Sequence, residues 1–356
     1  MGINTINTVF LGIDVHKRTY SVTAVSENQV IKKTTMAADP VAFLTFIHNF
    51  FPNSLVYSAY EAGFSGFGLH RFLIENGVNN IVVHAASIEV VPRNKSKTDK
   101  RDSKKIAFHL SYGRLQCVHI PSVQRESWRS VTRLRSQFVK DRARISNRIK
   151  GLLFYFGILL HSHKGKASRK WIRNLMLNLQ NINPDVFFCI KNLTDQWIFL
   201  DDKVKEIEVR LKEQAKKDSK IGEVYQHSYG IGLISSRILA NELDNLSHFN
   251  NESALYSYTG LTPCEHSSGD RRHLGNISRQ GNPIIRGILT EAAWKAIKKD
   301  ADLEKIFERL VKNTGSRKKA ILGIARRMIG RTRAEFRKGN KFVRDKPLKK
   351  EAICIS

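Results

Sequence analysis

The sequence predicts an α/β domain in the first third of the chain and mainly helical structure in the rest. Three observations support this prediction. Short apolar runs rich in β-branched and aromatic residues alternate with stretches of helical spacing over residues 1–120. Two long amphipathic stretches follow, and turn-forming glycines separate shorter helical stretches after residue 220. A chain of 356 residues can hold two or three cores, so we predict domains at 1–120, 121–220 and 221–356.

The elements of the N-terminal region follow the predicted order βββαβαβα. The predicted strands are Thr8–Ile13, Ser21–Val25, Val30–Thr35, Leu55–Tyr60 and Asn80–His84, and the predicted helices are Pro40–Phe51, Leu69–Asn76 and Thr98–Tyr112. Three antiparallel strands followed by crossovers give a mixed five-stranded sheet with helices on its faces. This is the plan of a ribonuclease H-like (RuvC-like) domain.

Two long amphipathic helices are predicted in the middle region. Residues 122–153 are strongly basic and carry one apolar stripe, formed by Trp128, Val131, Leu134, Phe138, Ile145, Ile149 and Leu152. The second helix, Thr194–Lys217, places Val204, Ile207 and Leu211 at coiled-coil spacing. The pattern predicts a helical hairpin or an oligomerising coiled coil, and an ordinary helical bundle explains it equally well.

Residues 224–240 have the layout of a helix-hairpin-helix element. Gly230 and Gly232 form a Gly-x-Gly turn that opens a helix, and the free backbone amides at such a helix start can contact a nucleic-acid phosphate. A plain turn between two helices is the alternative. We expect the whole C-terminal domain to be mostly helical.

The positive charge of the chain is large and lies in blocks. Lys and Arg number 60 against 32 Asp and Glu, a net charge of +28. Residues 91–175 carry +18 and residues 271–350 carry +17, whereas residues 1–90 and 176–270 carry −1 and −5. Separated basic blocks favour two surfaces for polyanions, with nucleic acid as the first partner class and an anionic membrane as the second.

Two further features of composition narrow the class of protein. No apolar run approaches the ~18–20 residues of a membrane span, and the first residues lack a basic leader, so we expect no membrane partner. The four cysteines are far apart, without a Cys-x-x-Cys pair. We therefore expect reduced thiols in a cytoplasmic protein, with no disulfide frame and no zinc site.

Four carboxylates are candidates for a metal site. Asp14 and Glu61 each close an apolar strand, where an unpaired carboxylate would be costly without a ligand. Asp99 and Asp102 are three residues apart in a very basic stretch, so they share one face of the predicted helix. If that helix packs beside the first and fourth strands, all four can hold one or two Mg²⁺ ions for chemistry on nucleic acid. The alternative for the aspartate pair is that it binds the neighbouring Lys and Arg on a solvated face.

A second candidate site lies in a Ser-Ser-Gly turn near the C-terminus. A serine hydroxyl there, flanked by guanidinium groups, can attack a phosphate while the cations stabilise the developing charge. His266 is a candidate base, although an ordinary surface histidine explains it as well. Ser-Gly turns are common, and most of them are only turns.

Taken together, these motifs resemble a known family. The signature consists of Gly12-Ile13-Asp14, Tyr60-Glu61-Ala62, Lys97-Thr98-Asp99-x-x-Asp102, Gly260-Leu261-Thr262-Pro263, Ser267-Ser268-Gly269 and Gly281-Asn282. In this order and spacing the motifs resemble the DEDD-type transposases of the insertion-sequence-110 family, which are similar to the pilin-gene invertases. The resemblance extends over nearly the whole chain.

The resemblance implies roles for individual residues. Asp14, Glu61, Asp99 and Asp102 would bind Mg²⁺, and the serine that precedes a glycine, Ser268, would link covalently to DNA, with Ser267 as the alternative. It also implies a RuvC-like N-terminal domain, a coiled-coil middle and a C-terminal transposase domain. A structured guide RNA, donor and target DNA, and a dimer of dimers with a composite site from different protomers are implied as well. The expected location is the bacterial or archaeal cytoplasm, at the nucleoid.

The sequence thus predicts a site-specific DNA recombinase that moves an insertion sequence by strand exchange. Candidate nucleic-acid-binding residues are Lys97, Lys100, Arg101, Lys104, Lys105, Arg129, Arg133, Arg142, Gly230, Gly232, Arg271, Arg272, Arg279 and Arg286. Two alternatives stay open: a metal-dependent junction resolvase that cuts with water, and a non-catalytic nucleic-acid-binding scaffold.

Overall fold

The computed structural model describes residues 7–84, 99–158, 167–179, 182–265, 274–278 and 280–339. The chain forms two compact units, Met1–Ile120 and Pro121–Ser356, called here the N-terminal unit and the C-terminal unit. The boundary predicted at residue 220 lies inside the second of these units and stays a prediction.

The N-terminal unit is a five-stranded mixed sheet with helices. Its elements are β1 (Thr8–Val15), β2 (Thr19–Ser26), β3 (Gln29–Ala37), α1 (Pro40–Phe50), β4 (Leu55–Glu61), α2 (Gly68–Glu75), β5 (Asn79–Val83) and α3 (Asp99–Ser111). The strand order is β3-β2-β1-β4-β5. β2 is antiparallel to β1 and β3, whereas β1, β4 and β5 are parallel to one another. The predicted mixed α/β sheet of five strands is therefore confirmed.

The two faces of this sheet are covered by different helices. On one face Leu11 and Ile13 of β1 pack with Phe43 of α1 and Leu73 of α2, all fully buried. On the other face α3 crosses β1 so closely that a Cβ at Gly12 would lie 2.0 Å from the Ser103 carbonyl oxygen. Only glycine leaves room for this contact between a strand and a helix backbone.

The C-terminal unit is mainly helical. Its elements are α4 (Val123–Tyr155), α5 (Arg169–Asn178), α6 (Pro184–Lys217), α7 (Ser219–Gln226), α8 (Leu233–Leu243), α9 (Glu252–Thr259), β6 (Pro263–Glu265), β7 (Leu274–Ile277), α10 (Pro283–Ala296), α11 (Ala301–Thr314) and α12 (Arg317–Lys338). β6 and β7 form an antiparallel pair. The core lies among α7 to α12 and is centred on residues such as Leu239, Leu289 and Ile324.

The two long helices, α4 and α6, run antiparallel. Three hydrogen-bonded pairs show this: Arg135 with Glu208, Arg142 with Asp201, and Ser146 with Trp197. Residue numbers rise along α4 while those of the partners in α6 fall. Towards the end of α4 the shared core is apolar, as predicted. α6 begins ten residues before the predicted start, because Asn183 caps its first turn and Pro184 fits the first helical position.

The start of α4 buries polar side chains as well as apolar ones. Arg125 and Arg129 are each 8% exposed and Thr132 is fully buried, whereas Leu134 of the predicted apolar stripe is 41% exposed. The reason is tertiary: α7, α8 and the turns beside them supply carboxylates and backbone carbonyls to these arginines. Among the helices in the described part of the chain, none combines the length and the apolarity needed to cross a bilayer.

Candidate active-site residues and their surroundings

Asp14 and Glu61 lie side by side at one end of the sheet. Gly12 of β1 is the register partner of Ala59 of the parallel strand β4. Both positions face α3, since Gly12 touches its backbone and Ala59 packs on Ile106. Residues two apart in a strand share a face. Asp14 and Glu61, two residues further along, therefore lie on the α3 side of neighbouring strands.

The surroundings of Asp14 and Glu61 are polar and open to solvent. The side chain of Asp14 is 21% exposed, and its Oδ2 lies 3.2 Å from Nε2 of His16. Glu61 is exposed. Carboxylate oxygens on adjacent strand ends, reached by water, are the donors that a hard divalent cation prefers.

Asp102 lies on the helix that covers these strand ends. It is half-buried and directly precedes Ser103, whose hydroxyl is 2.9 Å from that of Thr23 in β2. Asp99 belongs to the backbone of α3, but its side chain is not among those described, and the same is true of Lys100 and Arg101. Within the described residues no group of three or more His, Cys, Asp or Glu is close enough to hold a metal ion. The structure therefore brings Asp14 and Glu61 together and places Asp102 on the helix above their face.

The predicted nucleophile lies outside the described residues. This applies to residues 266–273, called here the serine segment, which include His266, Ser267, Ser268, Arg271 and Arg272, and also to Lys97 and Arg279. The residues on both sides of the serine segment are described. The backbone N–H of Ser278 donates to the Thr262 carbonyl at 2.9 Å, and Pro263 pairs with Ile277. The chain thus leaves and re-enters the helical core at one place.

Two glycines of the sequence signature, Gly260 and Gly281, are in backbone contact beside the β6–β7 pair. Gly260 adopts a left-handed conformation with φ +67° at the end of α9. A Cβ at Gly281 would lie 2.1 Å from the Gly260 nitrogen. Neither position tolerates a side chain, because two backbones touch there. The same contact brings Nη1 of Arg286 to 2.3 Å from the position of a Gly260 Cβ.

Several residues predicted to bind nucleic acid have partners inside the protein. Arg129 is buried, and it donates to the carbonyls of Asn241 and Glu242 at 2.8 and 2.9 Å. The guanidinium of Arg129 thus joins α4 to α8, and its role as a nucleic-acid contact stays a prediction. Arg142 bonds to Asp201, and Arg133, 56% exposed, bonds to Glu242.

The other residues predicted to bind nucleic acid have different surroundings. Lys104 is exposed and its Nζ lies 5.5 Å from the ring centroid of Phe108, while Lys105 is half-buried. Gly230 has φ +85°, and a Cβ there would lie 2.6 Å from the Ala292 carbonyl, so this glycine is needed for packing against α10. Gly232 directly precedes α8.

The sequence interpretation missed Glu242 and the importance of Asn282. Glu242 is fully buried in α8 and accepts hydrogen bonds from Arg133, Thr132 and Asn282. A signal was present, because the polar pair Asn241 and Glu242 interrupts the apolar residues of 238–243. Asn282 caps α10, as an asparagine before a proline often does.

Comparison with protein families identifies the class. Residues 11–156 match the DEDD transposase model of the IS110 group, described as Transposase, and residues 224–308 match the model described as Transposase IS116/IS110/IS902 family. The matched ranges contain all four candidate carboxylates and the serine segment. The chain belongs to the IS110/IS116/IS902 family of insertion-sequence transposases, enzymes that cleave and rejoin DNA. A DEDD domain implies a divalent metal ion.

Individual relatives agree with this assignment. The transposase for insertion sequence element IS1533 of Leptospira borgpetersenii is 26% identical over 300 residues, 81% of this chain and 85% of the relative. Y4rJ of Sinorhizobium fredii, whose name places it among transposases, is 26% identical over 81% of this chain and 80% of its own. The transposase for IS1111A of Coxiella burnetii is 26% identical over 57% of this chain, which spans 56% of that relative.

Proposed function

We propose that this transposase is a site-specific recombinase that moves its insertion sequence with a carboxylate site and a serine nucleophile. Asp14, Glu61, Asp99 and Asp102 hold Mg²⁺, and Ser268 forms a covalent bond with DNA. The observation that supports the proposal most directly is the position of Asp14 and Glu61 on adjacent parallel strand ends, facing α3. The strand order β3-β2-β1-β4-β5 supports a ribonuclease H-like (RuvC-like) domain.

Each group in the proposed reaction has a distinct task. Bound Mg²⁺ would polarise a phosphate oxygen and neutralise developing negative charge. The hydroxyl of Ser268 loses its proton as its oxygen bonds to phosphorus, and the P–O bond to the neighbouring deoxyribose breaks. The free deoxyribose oxygen takes up a proton. The phosphoserine bond keeps the energy of the broken bond for rejoining the strand.

The proposed partners are donor DNA, target DNA and a structured guide RNA from the noncoding end of the element. The net charge of +28 supports partners with many phosphates. Lys104, Arg286 and the start of α8 after Gly232 are candidate contacts in the described part of the chain, and α7–α8 is proposed as a helix-hairpin-helix element. A dimer of dimers at the nucleoid completes the proposal.

The decisive experiment asks which serine, if either, becomes linked to DNA. The wild-type protein is incubated with Mg²⁺, a labelled duplex spanning an end of the element and its flank, and RNA transcribed from the adjacent noncoding DNA. Denaturing gels then separate free DNA from protein-linked DNA. We expect an adduct with wild type and Ser267→Ala, and none with Ser268→Ala, although Ser268→Ala still binds the duplex with wild-type Kd.

The carboxylates have a matched test in the same assay. Asp14→Asn removes a charge without changing the size of the side chain, and we expect adduct formation to fall at least about 100-fold. Adduct formation by Ser268→Ala at the wild-type rate would exclude Ser268 as the nucleophile. Strand cleavage by wild type without any adduct would favour the junction resolvase that uses water.

A further inference from the structure

We propose that Glu242 is a positioning residue for strand cleavage: held by Arg133, it fixes Asn282 in the chain that follows the serine segment. The inference rests on the proposed role of Ser268. It adds a residue of α8 that lies outside the signature motifs and is distant in sequence from both predicted sites.

The carboxylate of Glu242 is fully buried and both of its oxygens accept hydrogen bonds. Oε1 accepts from Nε of Arg133 at 3.1 Å and from the hydroxyl of Thr132 at 3.3 Å. Oε2 accepts from Nη2 of Arg133 at 3.2 Å and from Nδ2 of Asn282 at 3.1 Å. The Arg133 pair is bidentate, which fixes the plane of the carboxylate as well as its position.

The Glu242 carboxylate is held rigidly, because losing any of its hydrogen-bond partners would cost free energy of folding. A buried carboxylate is tolerated only when its charge is paired and its lone pairs are used. The hydrogen bond from Arg133 to Glu242 raises the pKa of this guanidinium. Glu242 thus has one well-defined orientation, set from α4, and it presents one oxygen to Asn282.

Asn282 transmits this orientation to the chain that follows the serine segment. Its Oδ1 accepts from the backbone N–H of Ile284 at 2.9 Å and caps α10. Its own N–H donates to the Tyr258 carbonyl at 2.9 Å at the end of α9. Gly281, one residue earlier, touches Gly260. The side chain of Asn282 thus joins α8 to α10, and its backbone N–H adds α9.

The chemical consequence is a fixed position for the described chain that follows Ser268. A nucleophile must be held in line with the phosphorus, and a displacement of about 1 Å can reduce the rate about 100-fold. The positioning role of Glu242 requires no contact with nucleic acid or with the reacting atoms. It acts through Asn282, so its loss should slow cleavage while leaving DNA binding intact.

The test compares Glu242→Gln with Glu208→Gln in the adduct assay, at saturating duplex. Glu208 of α6 accepts from Nε and Nη2 of Arg135 at 3.0 and 2.5 Å, so it also pairs with an arginine of α4. Its described hydrogen bonds do not reach α10. In Glu242→Gln the new amide N–H₂ faces either Arg133 or Asn282, which are both donors. We expect this variant to form adduct about 10- to 100-fold more slowly with unchanged Kd, and Glu208→Gln to stay within about twofold of wild type.

A second variant separates positioning from a loss of folding. In Glu242→Gln/Asn282→Asp the amide of residue 242 can donate to the new carboxylate, and aspartate caps a helix as well as asparagine. We expect the rate to return to within about fivefold of wild type. A wild-type rate in Glu242→Gln, or a slow rate that the double variant does not recover, would overturn the inference.

A second measurement tests the role of Glu242 independently of the proposed role of Ser268. Hydrogen exchange of the backbone amides of Asn282, Ile284 and Ile285 reports the anchor without any DNA reaction. We expect faster exchange there in Glu242→Gln and unchanged exchange in Glu208→Gln. If wild type forms no adduct, Ser268 loses its role, whereas unchanged exchange in Glu242→Gln would disprove the anchor itself.

Discussion

Gly12 shows how one missing side chain sets the position of the candidate metal site. A Cβ at this residue would lie 2.0 Å from the Ser103 carbonyl oxygen and 2.4 Å from the Ala107 nitrogen. α3 therefore rests directly on β1, two residues before Asp14. The helix that carries Asp102 is held close to the sheet because the strand residue beneath it is a glycine.

Exchange of Gly12 for alanine is expected to separate α3 from the sheet. Both contacting atoms belong to the helix backbone, so no side chain can turn away to relieve the clash. We expect a loss of at least about 3 kcal/mol in unfolding free energy, measured by urea denaturation, together with loss of DNA cleavage. Gly68→Ala is the control, since a Cβ there meets no described atom within 4 Å. Equal stability of both variants would contradict the close contact.

Arg129 shows that the residue type alone does not determine which partner an arginine binds. An arginine on a basic helix serves equally well as a phosphate contact or as a donor to the protein's own backbone. The choice depends on what faces it, and here the end of α8 offers two carbonyl oxygens at 2.8 and 2.9 Å. These acceptors are more than 100 positions away in sequence, so no local pattern predicts them.

At the scale of elements, α5 is tied to the long helices by a cluster of charges. Asp201 of α6 is buried, with 10% of its side chain exposed, and it bonds to Arg142 of α4 and Arg169 of α5 at 2.5 and 2.7 Å. Lys205 lies 3.0 Å away. Burial alone would raise the pKa of Asp201, but the bonds from Arg169 and Lys205 outweigh it and lower the pKa below 3.8.

The Asp201 cluster predicts a pH-dependent contribution to stability. Because the folded-state pKa is below the unfolded value, the contribution is fully present above about pH 4 and is lost as the pH falls further. We expect Asp201→Asn to cost about 2 kcal/mol at pH 7, with a lower Tm, and the difference from wild type to shrink as the pH falls below about 4.

The control for this prediction is Asp195→Asn on the same helix. Asp195 is 59% exposed and pairs with Lys191 one turn away, so its removal should cost about 0.5 kcal/mol or less at any pH. Thermal melts of wild type, Asp201→Asn and Asp195→Asn between about pH 3 and 7 measure how the stability differences depend on pH. A difference between wild type and Asp201→Asn that stays constant over this range would show that the charge of Asp201 is unimportant.

At the scale of the whole molecule, the positive charge is unevenly divided. The N-terminal unit carries a net charge of +5 and the C-terminal unit +23. Part of this charge is used internally, as in Arg125, which bonds to Asp218 and Asp244. The surplus nevertheless exceeds what internal pairing consumes, since acidic residues are too few. Most of the attraction for polyanions should therefore come from the C-terminal unit.

This surplus predicts strongly salt-dependent DNA binding by the full chain. Each neutralised phosphate releases counterions, so affinity falls steeply with ionic strength. For an arbitrary duplex of about 30 base pairs, we expect Kd to rise about 1,000-fold between about 50 and 200 mM salt. Fluorescence anisotropy measures it, and vesicles of anionic lipid serve as the comparison. A Kd that is independent of salt, or tighter binding to the vesicles, would contradict nucleic acid as the main partner.

The sequence by itself determined the local elements and the chemical candidates. Strand alternation, helical spacing and turn residues predicted all five strands of the sheet, because these signals depend on neighbours along the chain. The same holds for Asp14 and Glu61 at strand ends, and for the ordered motifs that identified the family. Ser268 and Mg²⁺ remain predictions from that resemblance.

The tertiary structure alone decided which polar residues face inward and what they join. It turned Arg129 into an internal donor and placed Glu242 between Arg133 and Asn282. The hydrogen-bond partners of Glu242 lie 40 to 110 positions from it along the chain. Burial and pairing across such distances depend on how the helices pack, and spacing along a single sequence does not contain that information.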